Sequence, residues 1–288
     1  MWPEFASLWP DLRAIGGDSV VLAGGYGLFL KQTWLPAHPE VPTIIPLARW
    51  VDSTPRGTND FDFVVGVGLI ASAELQTKVR ALLAARGFKP KDPMWQFEKP
   101  LGDGRSIIVD IHAPHPADAD KRVKVEQRRV KSKPSLGKQG LHGRADPESI
   151  GFDLYPFCFE MNGLLIATPN PVTWCSMKLA AMRDQHLKSE NAGLSAAERR
   201  EVRQKAIKHA MDVCRIAAMT TRDERDGTDD VIRSIHDAAP FKQAASIVSG
   251  YFQPEGWGSV VVESFWTSSD LQLIRDMLSA WFKEEETP

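Results

Sequence analysis

Two aspartates separated by one aromatic residue, Asp60-Phe61-Asp62, run straight into the apolar segment Phe63-Val64-Val65. On an extended strand alternate side chains share a face, so Asp60 and Asp62 project together while Phe61 and Phe63 turn away. Paired carboxylates of this kind hold a hard divalent cation. Mg²⁺ takes one or two of them, keeps waters and fills its remaining positions with substrate phosphate oxygens. An isolated Asp-x-Asp is more often a solvated strand rim, so the neighbours have to decide.

Upstream, Ser19-Val20-Val21-Leu22-Ala23 has strand character, Gly24-Gly25 follows, and Tyr26 to Gln32 starts a helix. Such a turn presents bare N–H groups and the positive end of a helix dipole, where a triphosphate can sit; a tight turn needing glycine is the commoner origin. Arg56 and Thr58 either face the same phosphates or lie on the surface. Downstream, the apolar run Arg105–His112 carries one acid, Asp110. Burying it is costly unless a cation needs it, so Asp110 is either a third carboxylate for the metals at Asp60 and Asp62 or a strand-end surface residue. His112 shares its face by period two, but no third nitrogen or sulfur ligand is spaced to join it and His115, and both read as non-metal residues.

The elements that must position these residues follow from periodicity. Phe5, Leu8, Trp9, Leu12 and Ile15 predict a packing helix over 3–15, in two pieces at Pro10. Residues 35–57, with Pro36, Pro39, Pro42, Pro46 and Pro55, read as a long connection with a short helix at 44–50. A strand over 61–70, a helix over 73–86 stopped by Gly87, and a strand pair joined across Gly102-Asp103-Gly104 come next. Residues 155–160 and 164–167 are strand-like. From Thr168-Pro169-Asn170-Pro171 onward the segments 171–187, 195–220, 229–250 and 267–284 are helical. The expected domains are therefore 1–168, of strands and helices, and 169–288, a helical domain. Lys178 and Asp212 fall on the first two of those helices, where they could meet; Lys178 could equally snorkel to solvent.

The 288 residues, 43% hydrophobic and 25% charged, suit one large or two small globular domains. No run of about 18 apolar residues and no basic, apolar leader is present, so the expectation is a cytoplasmic protein with no membrane contact. Three scattered cysteines, Cys158, Cys175 and Cys214, read as buried free thiols. Against a net charge of −2, residues 121–144 concentrate Lys124, Arg128, Arg129, Lys131 and other cations around the single acid Glu126. Such a block attracts phosphate backbones or is a solvated arm, its latter part a loop.

Taken together, Val21-Leu22-Ala23-Gly24-Gly25-Tyr26, Arg56-x-Thr58-x-Asp60-Phe61-Asp62, Val109-Asp110-Ile111, Lys178-Leu179-Ala180-Ala181-Met182-Arg183 and Lys208-x-x-x-Asp212 resemble the nucleotidyltransferase superfamily. Within it they resemble the AbiEii/MenT-like toxins of bacterial toxin–antitoxin systems. The resemblance spans residues 20 to 215. It implies a nucleotidyltransferase-type mixed sheet followed by a helical domain closing the nucleotide cleft. Asp60 and Asp62 would bind Mg²⁺ or Mn²⁺, with Asp110 as a further ligand or a base. Gly24, Gly25, Arg56 and Thr58 would line the phosphates, Lys178 would neutralise the triphosphate beside Arg183, and Asp212 would position that lysine or the nucleotide. Gly25 departs from the superfamily's common Gly-Ser.

The implied reaction is attack on the α-phosphorus of a nucleoside triphosphate with release of pyrophosphate. The expected acceptor is RNA, foremost the 3′ end of tRNA, making the chain a translation-blocking toxin with a cognate antitoxin partner. Transfer to a small hydroxylated molecule such as an aminoglycoside, transfer to a protein side chain, and a non-catalytic nucleotide-binding module are the alternatives. The complete Asp60/Asp62/Lys178 set argues against the last.

Overall fold

The computed structural model describes residues 1–92, 94–102 and 104–283. They form two compact units, residues 1–31 with 56–169 and residues 32–55 with 170–288.

The first unit contains, in chain order, α1 (Trp2–Gly16), β1 (Val20–Leu22), the start of α2 (Gly24–Trp34), β2 (Asp60–Val65), α3 (Val67–Ala71), α4 (Ala73–Ala85), β3 (Lys89–Lys91), β4 (Gln96–Pro100), β5 (Ser106–Ala113), β6 (Val123–Glu126), β7 (Arg129–Ser132), β8 (Gly143–Ala145), β9 (Phe157–Met161) and β10 (Leu164–Thr168). Its sheet is mixed, with the order β1-β2-β5-β8-β7-β6 and the β3-β4 pair attached to β5. β2 runs parallel to β5 and β5 parallel to β8, while the remaining pairings are antiparallel. β9 and β10 form a separate hairpin.

Aromatic packing decides which face of β2 is the core. Phe61 lies against Phe5 and Tyr26 with ring centroids 5.7 and 4.9 Å away, and Phe63 stacks on Trp9 at 5.9 Å. Ring pairs of this kind add about 0.5–1.5 kcal/mol each beyond simple burial. A one-residue slip of β2 would push Asp60 and Asp62 into that cluster, so the aromatic face locks the strand register that presents the acids. The Trp9 indole donates to the Leu165 carbonyl at 2.8 Å and ties α1 to β10.

Several sequence expectations need correction here. α1 runs unbroken through Pro10, which is exposed, because the fully buried stripe Phe5, Leu8, Trp9 and Leu12 outweighs one lost backbone hydrogen bond. β2 stops at Val65: Gly66 donates to Ser19 O and caps α3, which occupies the rest of the expected strand. The first part of the basic segment is built into the sheet as the β6–β7 hairpin rather than left as an arm, and Gly143–Ala145 joins it as β8; residues 133–142 between them form the expected loop, with one 3₁₀ turn at Gly137–Gln139. Asp103, at the centre of the expected β4–β5 turn, lies outside the described residues.

The second unit is helical: α5 (Pro171–Ser189), α6 (Ala196–Ala218), α7 (Arg222–Ile235), α8 (Ala239–Tyr251), α9 (Trp257–Val262) and α10 (Ser268–Trp281). Asn170 caps α5 by accepting from Thr173 N at 2.8 Å, and Ser195/Glu198 and Thr221/Glu224 form capping boxes on α6 and α7. The expected 229–250 helix is two helices, because Thr221 starts α7 early and Pro240 sits in the first turn of α8. Residue 284, the expected end of the last helix, lies outside the described residues. Residues 32–55, expected to belong to the first domain, pack with this unit instead. Ile44 N and Ile45 N donate to Thr220 O and Ala218 O at 3.0 Å, Arg49 pairs with Asp270, and Trp50 lies 4.8 Å from Trp266. That segment holds two single-turn 3₁₀ pieces, Leu35–Ala37 and Leu47–Arg49, in place of the expected helix.

No helix among the described residues is long and apolar enough to cross a membrane. Cys175 and Cys214 are buried, whereas Cys158 is exposed.

Candidate metal centre and phosphate-facing turn

Parallel pairing of β2 with β5 sets Asp62 directly opposite Asp110 and Asp60 opposite Ile108. Register partners project from the same face, so two half-buried carboxylates stand side by side on adjacent strands, with Gln96 of β4 next to Asp110 in the same row. Asp60 occupies the exposed first position of β2. Burial, and then the charge of Asp62, raise the Asp110 carboxyl above its ordinary value, with His112 and Gln96 working the other way.

His112, read from the sequence as a non-metal residue, joins this pair. Its Nε2 lies 3.5 Å from Asp62 Oδ1, and its Nδ1 lies 3.0 Å from Asp146 Oδ2. An ionised carboxylate can only accept, so Nδ1–H donates to Asp146. The fold delivers Asp146 to that place: β8 pairs with the end of β5, and Asp146 N donates to Ala113 O at 2.9 Å. Burial opposes charging of His112, but the hydrogen bond to Asp146 and the negative charges of Asp146 and Asp62 outweigh it and lift its pKa to about 9. Asp62, Asp110 and His112 each offer one ligand atom, all within 4.8 Å of one another. Asp110 Oδ1 and His112 Nε2 are buried without a hydrogen-bond partner. A buried acceptor left unmatched costs roughly 1–3 kcal/mol. Three carboxylates around one imidazole, with two of those atoms unmatched, fit a divalent cation.

The double glycine converges on the same place. Gly24 adopts φ +62°, and a Cβ there would fall 1.7 Å from Asp62 Oδ2. The Asp62 carboxylate thus rests one oxygen on the glycine turn and aims the other at His112. A Cβ on Gly25 would meet Arg56 Nη2 at 2.6 Å and Thr58 Cγ2 at 3.4 Å. Gly24 thus lies against Asp62, Gly25 against Arg56 and Thr58, and Asp62 beside Asp110, all within the first unit. Asp60 N also accepts a place in this turn, donating to Thr58 Oγ1 at 3.3 Å.

In the second unit Lys178 of α5 and Asp212 of α6 form a buried pair, with Nζ 2.9 Å from Oδ2 and side chains 9% and 1% exposed. His209, one turn earlier on α6, brings Nδ1 to 4.0 Å from the same oxygen. Arg183 turns its guanidinium to the neighbouring Asp184 at 2.6 Å.

The four residues expected to hold RNA lie on the β6–β7 hairpin. Its two-residue turn, Gln127-Arg128, has positive φ at both positions, so Arg128 stands at the tip. Lys124 and Lys131 both bind the Glu126 carboxylate, at 2.8 and 2.9 Å, which spends part of the block's charge internally. Arg129 is in register with Arg144, and Arg144 with His112, so a row of cations continues from the acid cluster along one sheet face.

His112, Asp146 and Arg144 are the site residues that sequence reasoning did not assign. His112 carried a signal, its two-residue spacing from Asp110; Asp146 carried none, because strand neighbours are set by tertiary pairing. Comparison with family models, curated proteins and solved structures finds no match for the chain, so the functional reading rests on this geometry and on the motif resemblance.

Proposed function

We propose that the chain is a metal-dependent nucleotidyltransferase that moves a nucleoside monophosphate from a nucleoside triphosphate to RNA, foremost the 3′ end of tRNA. The observation that supports it most is the in-register pair Asp62 and Asp110 with the Gly24 backbone directly beneath Asp62. Asp62 and Asp110, with Asp60 at the strand start, are the groups that would hold Mg²⁺ or Mn²⁺. When bound, such an ion neutralises triphosphate charge and orients the phosphates. Gly24 and Gly25 let the backbone approach the phosphates, and Arg56 and Thr58 beside them supply donors. The acceptor hydroxyl oxygen forms a bond to the α-phosphorus, the bond to the bridging β-phosphate oxygen breaks, pyrophosphate leaves, and the hydroxyl proton passes to water. Positioning and charge neutralisation provide most of the rate.

The resemblance would make Lys178 a triphosphate cation with Asp212 as its positioning partner; the 2.9 Å bond between the two, within the second unit, supports their pairing. RNA is favoured as acceptor by the Arg144–Arg129 row beside the acid cluster. In a cell, tRNA blocked in this way would halt translation in the cytoplasm, and a cognate antitoxin would restrain the activity.

The test incubates purified protein with Mg²⁺ or Mn²⁺, total RNA and each α-phosphate-labelled nucleoside triphosphate in turn, beside Asp62→Ala. Label in a tRNA-sized band with one nucleotide, absent from the variant, is expected. No labelled RNA with any nucleotide and either metal sinks the proposal.

A further inference from the structure

His112 is a member of the acid cluster that nucleotidyl transfer by two or three carboxylates does not require. It is 7% exposed and sits at the end of β5, with both ring nitrogens committed to directions that the fold sets. Nδ1 is held by Asp146 at 3.0 Å, so the Nδ1–H is fixed on that side and Nε2 points the other way, where a bound cation would take the place of its proton. On that other side stand Asp62 Oδ1 at 3.5 Å and the Asp110 carboxylate, whose Oδ1 is buried without a partner, as is His112 Nε2 itself. A carboxylate that holds one nitrogen of an imidazole while the other faces two acids is the arrangement that orients a metal-ligating histidine.

We propose that Asp62, Asp110 and His112 bind a first-row transition cation, such as Mn²⁺ or Co²⁺, in preference to Mg²⁺, with Asp146 as the positioning residue for His112. This rests on the metal-centre reading above and narrows the ion's class. The reason is ligand chemistry. Mg²⁺ dehydrates reluctantly and takes oxygen ligands, whereas imidazole nitrogen suits the borderline first-row cations and raises affinity along that series. One nitrogen and two oxygens within 4.8 Å thus select by donor type.

The experiment titrates the full chain, stripped with chelator, with Co²⁺, Mn²⁺ and Mg²⁺ in a calorimeter and follows the visible absorption of bound Co²⁺. Tighter binding of Co²⁺ than of Mg²⁺ by at least about ten-fold is expected. His112→Ala lowers Co²⁺ affinity by roughly 10–100-fold and shifts its absorption band, while Mg²⁺ affinity moves by less than about three-fold. Asp146→Asn, which keeps the side-chain shape, lowers Co²⁺ affinity by roughly ten-fold or more. His115→Ala, an exposed histidine nearby, changes nothing. Thermal melts of each variant establish that it is folded. Co²⁺ binding by His112→Ala equal to that of the parent, or no preference for Co²⁺ over Mg²⁺, overturns the inference. If Asp62→Ala abolishes binding of every ion while His112→Ala and Asp146→Asn alter none, His112 is not a ligand and the carboxylate centre stands. Intact Co²⁺ binding through His112 in a chain that labels no RNA overturns the transferase reading and leaves this one.

Discussion

Gly24 and Asp62 are in steric contact such that no other residue fits at position 24: a Cβ there would lie 1.7 Å from Asp62 Oδ2, and the backbone already sits at φ +62°. Gly24→Ala therefore has two costs, left-handed strain and a displaced carboxylate. It is expected to lower stability by about 1–3 kcal/mol and to weaken metal binding. Gly25→Ala meets the movable end of Arg56 and is expected to leave both nearly intact. Urea unfolding and metal titration of the two variants, side by side, check the contrast; equal effects would contradict it.

The buried Lys178–Asp212 pair predicts strong non-additivity. Asp212→Ala leaves an ammonium that is 9% exposed without its carboxylate, a loss of about 3–5 kcal/mol, whereas Lys178→Met with Asp212→Leu removes both charges and recovers most of it. A double-mutant cycle by urea unfolding measures the coupling. Single losses that simply add would show that the pair is not energetically coupled.

His112 predicts a pH dependence for the metal-free chain. Its folded-state pKa of about 9 lies above the ordinary 6.5, so the folded state binds the proton more tightly. The stability this contributes is complete below 6.5 and is lost as pH rises through about 9. Thermal melts between those limits, with chelator present, should show the gap between the parent and His112→Gln closing as pH rises. A gap independent of pH would mean the imidazole is not charged in the folded chain.

Charge reversal at Arg129 and Arg144 tests the acceptor. The two are in register across β7 and β8, and Arg144 is in register with His112. If RNA phosphates follow this row, Arg129→Glu with Arg144→Glu weakens RNA binding and lowers the salt slope by about one per lost phosphate contact. Filter binding at several salt concentrations reads both. Reversal of Lys124 and Lys131 is expected to do less, since they already share Glu126.

The part of the site written in local pattern was legible in the sequence. Period-two alternation put Asp60 and Asp62 on one face of β2, and the change from glycine pair to helix marked the turn that lies beneath Asp62. The long amphipathic stretches behind α5 and α6 were equally visible, and with them the chance that Lys178 meets Asp212. What escaped depends on pairing between distant segments. β8 is three residues long, too short for a periodic signal, yet its pairing with β5 brings Asp146 to His112. The alternation of valine with lysine and arginine in β6 and β7 was hidden by the charge that made the segment look like an arm. Continuity of α1 through Pro10 likewise follows from tertiary burial, which propensity does not encode.

The division of the chain has a consequence for how it emerges from a ribosome. Residues 32–55 are synthesised early, but their partners Thr220, Thr221, Trp266 and Asp270 come far later. At the usual elongation pace of about 5–20 residues per second, Ile45 and Trp50 wait on the order of ten seconds for a surface to cover them. A chain truncated at Pro169 would keep that apolar segment permanently uncovered, and a fragment starting at Asn170 would lack the piece that covers α6 and α10. Neither half can be excised with a single cut.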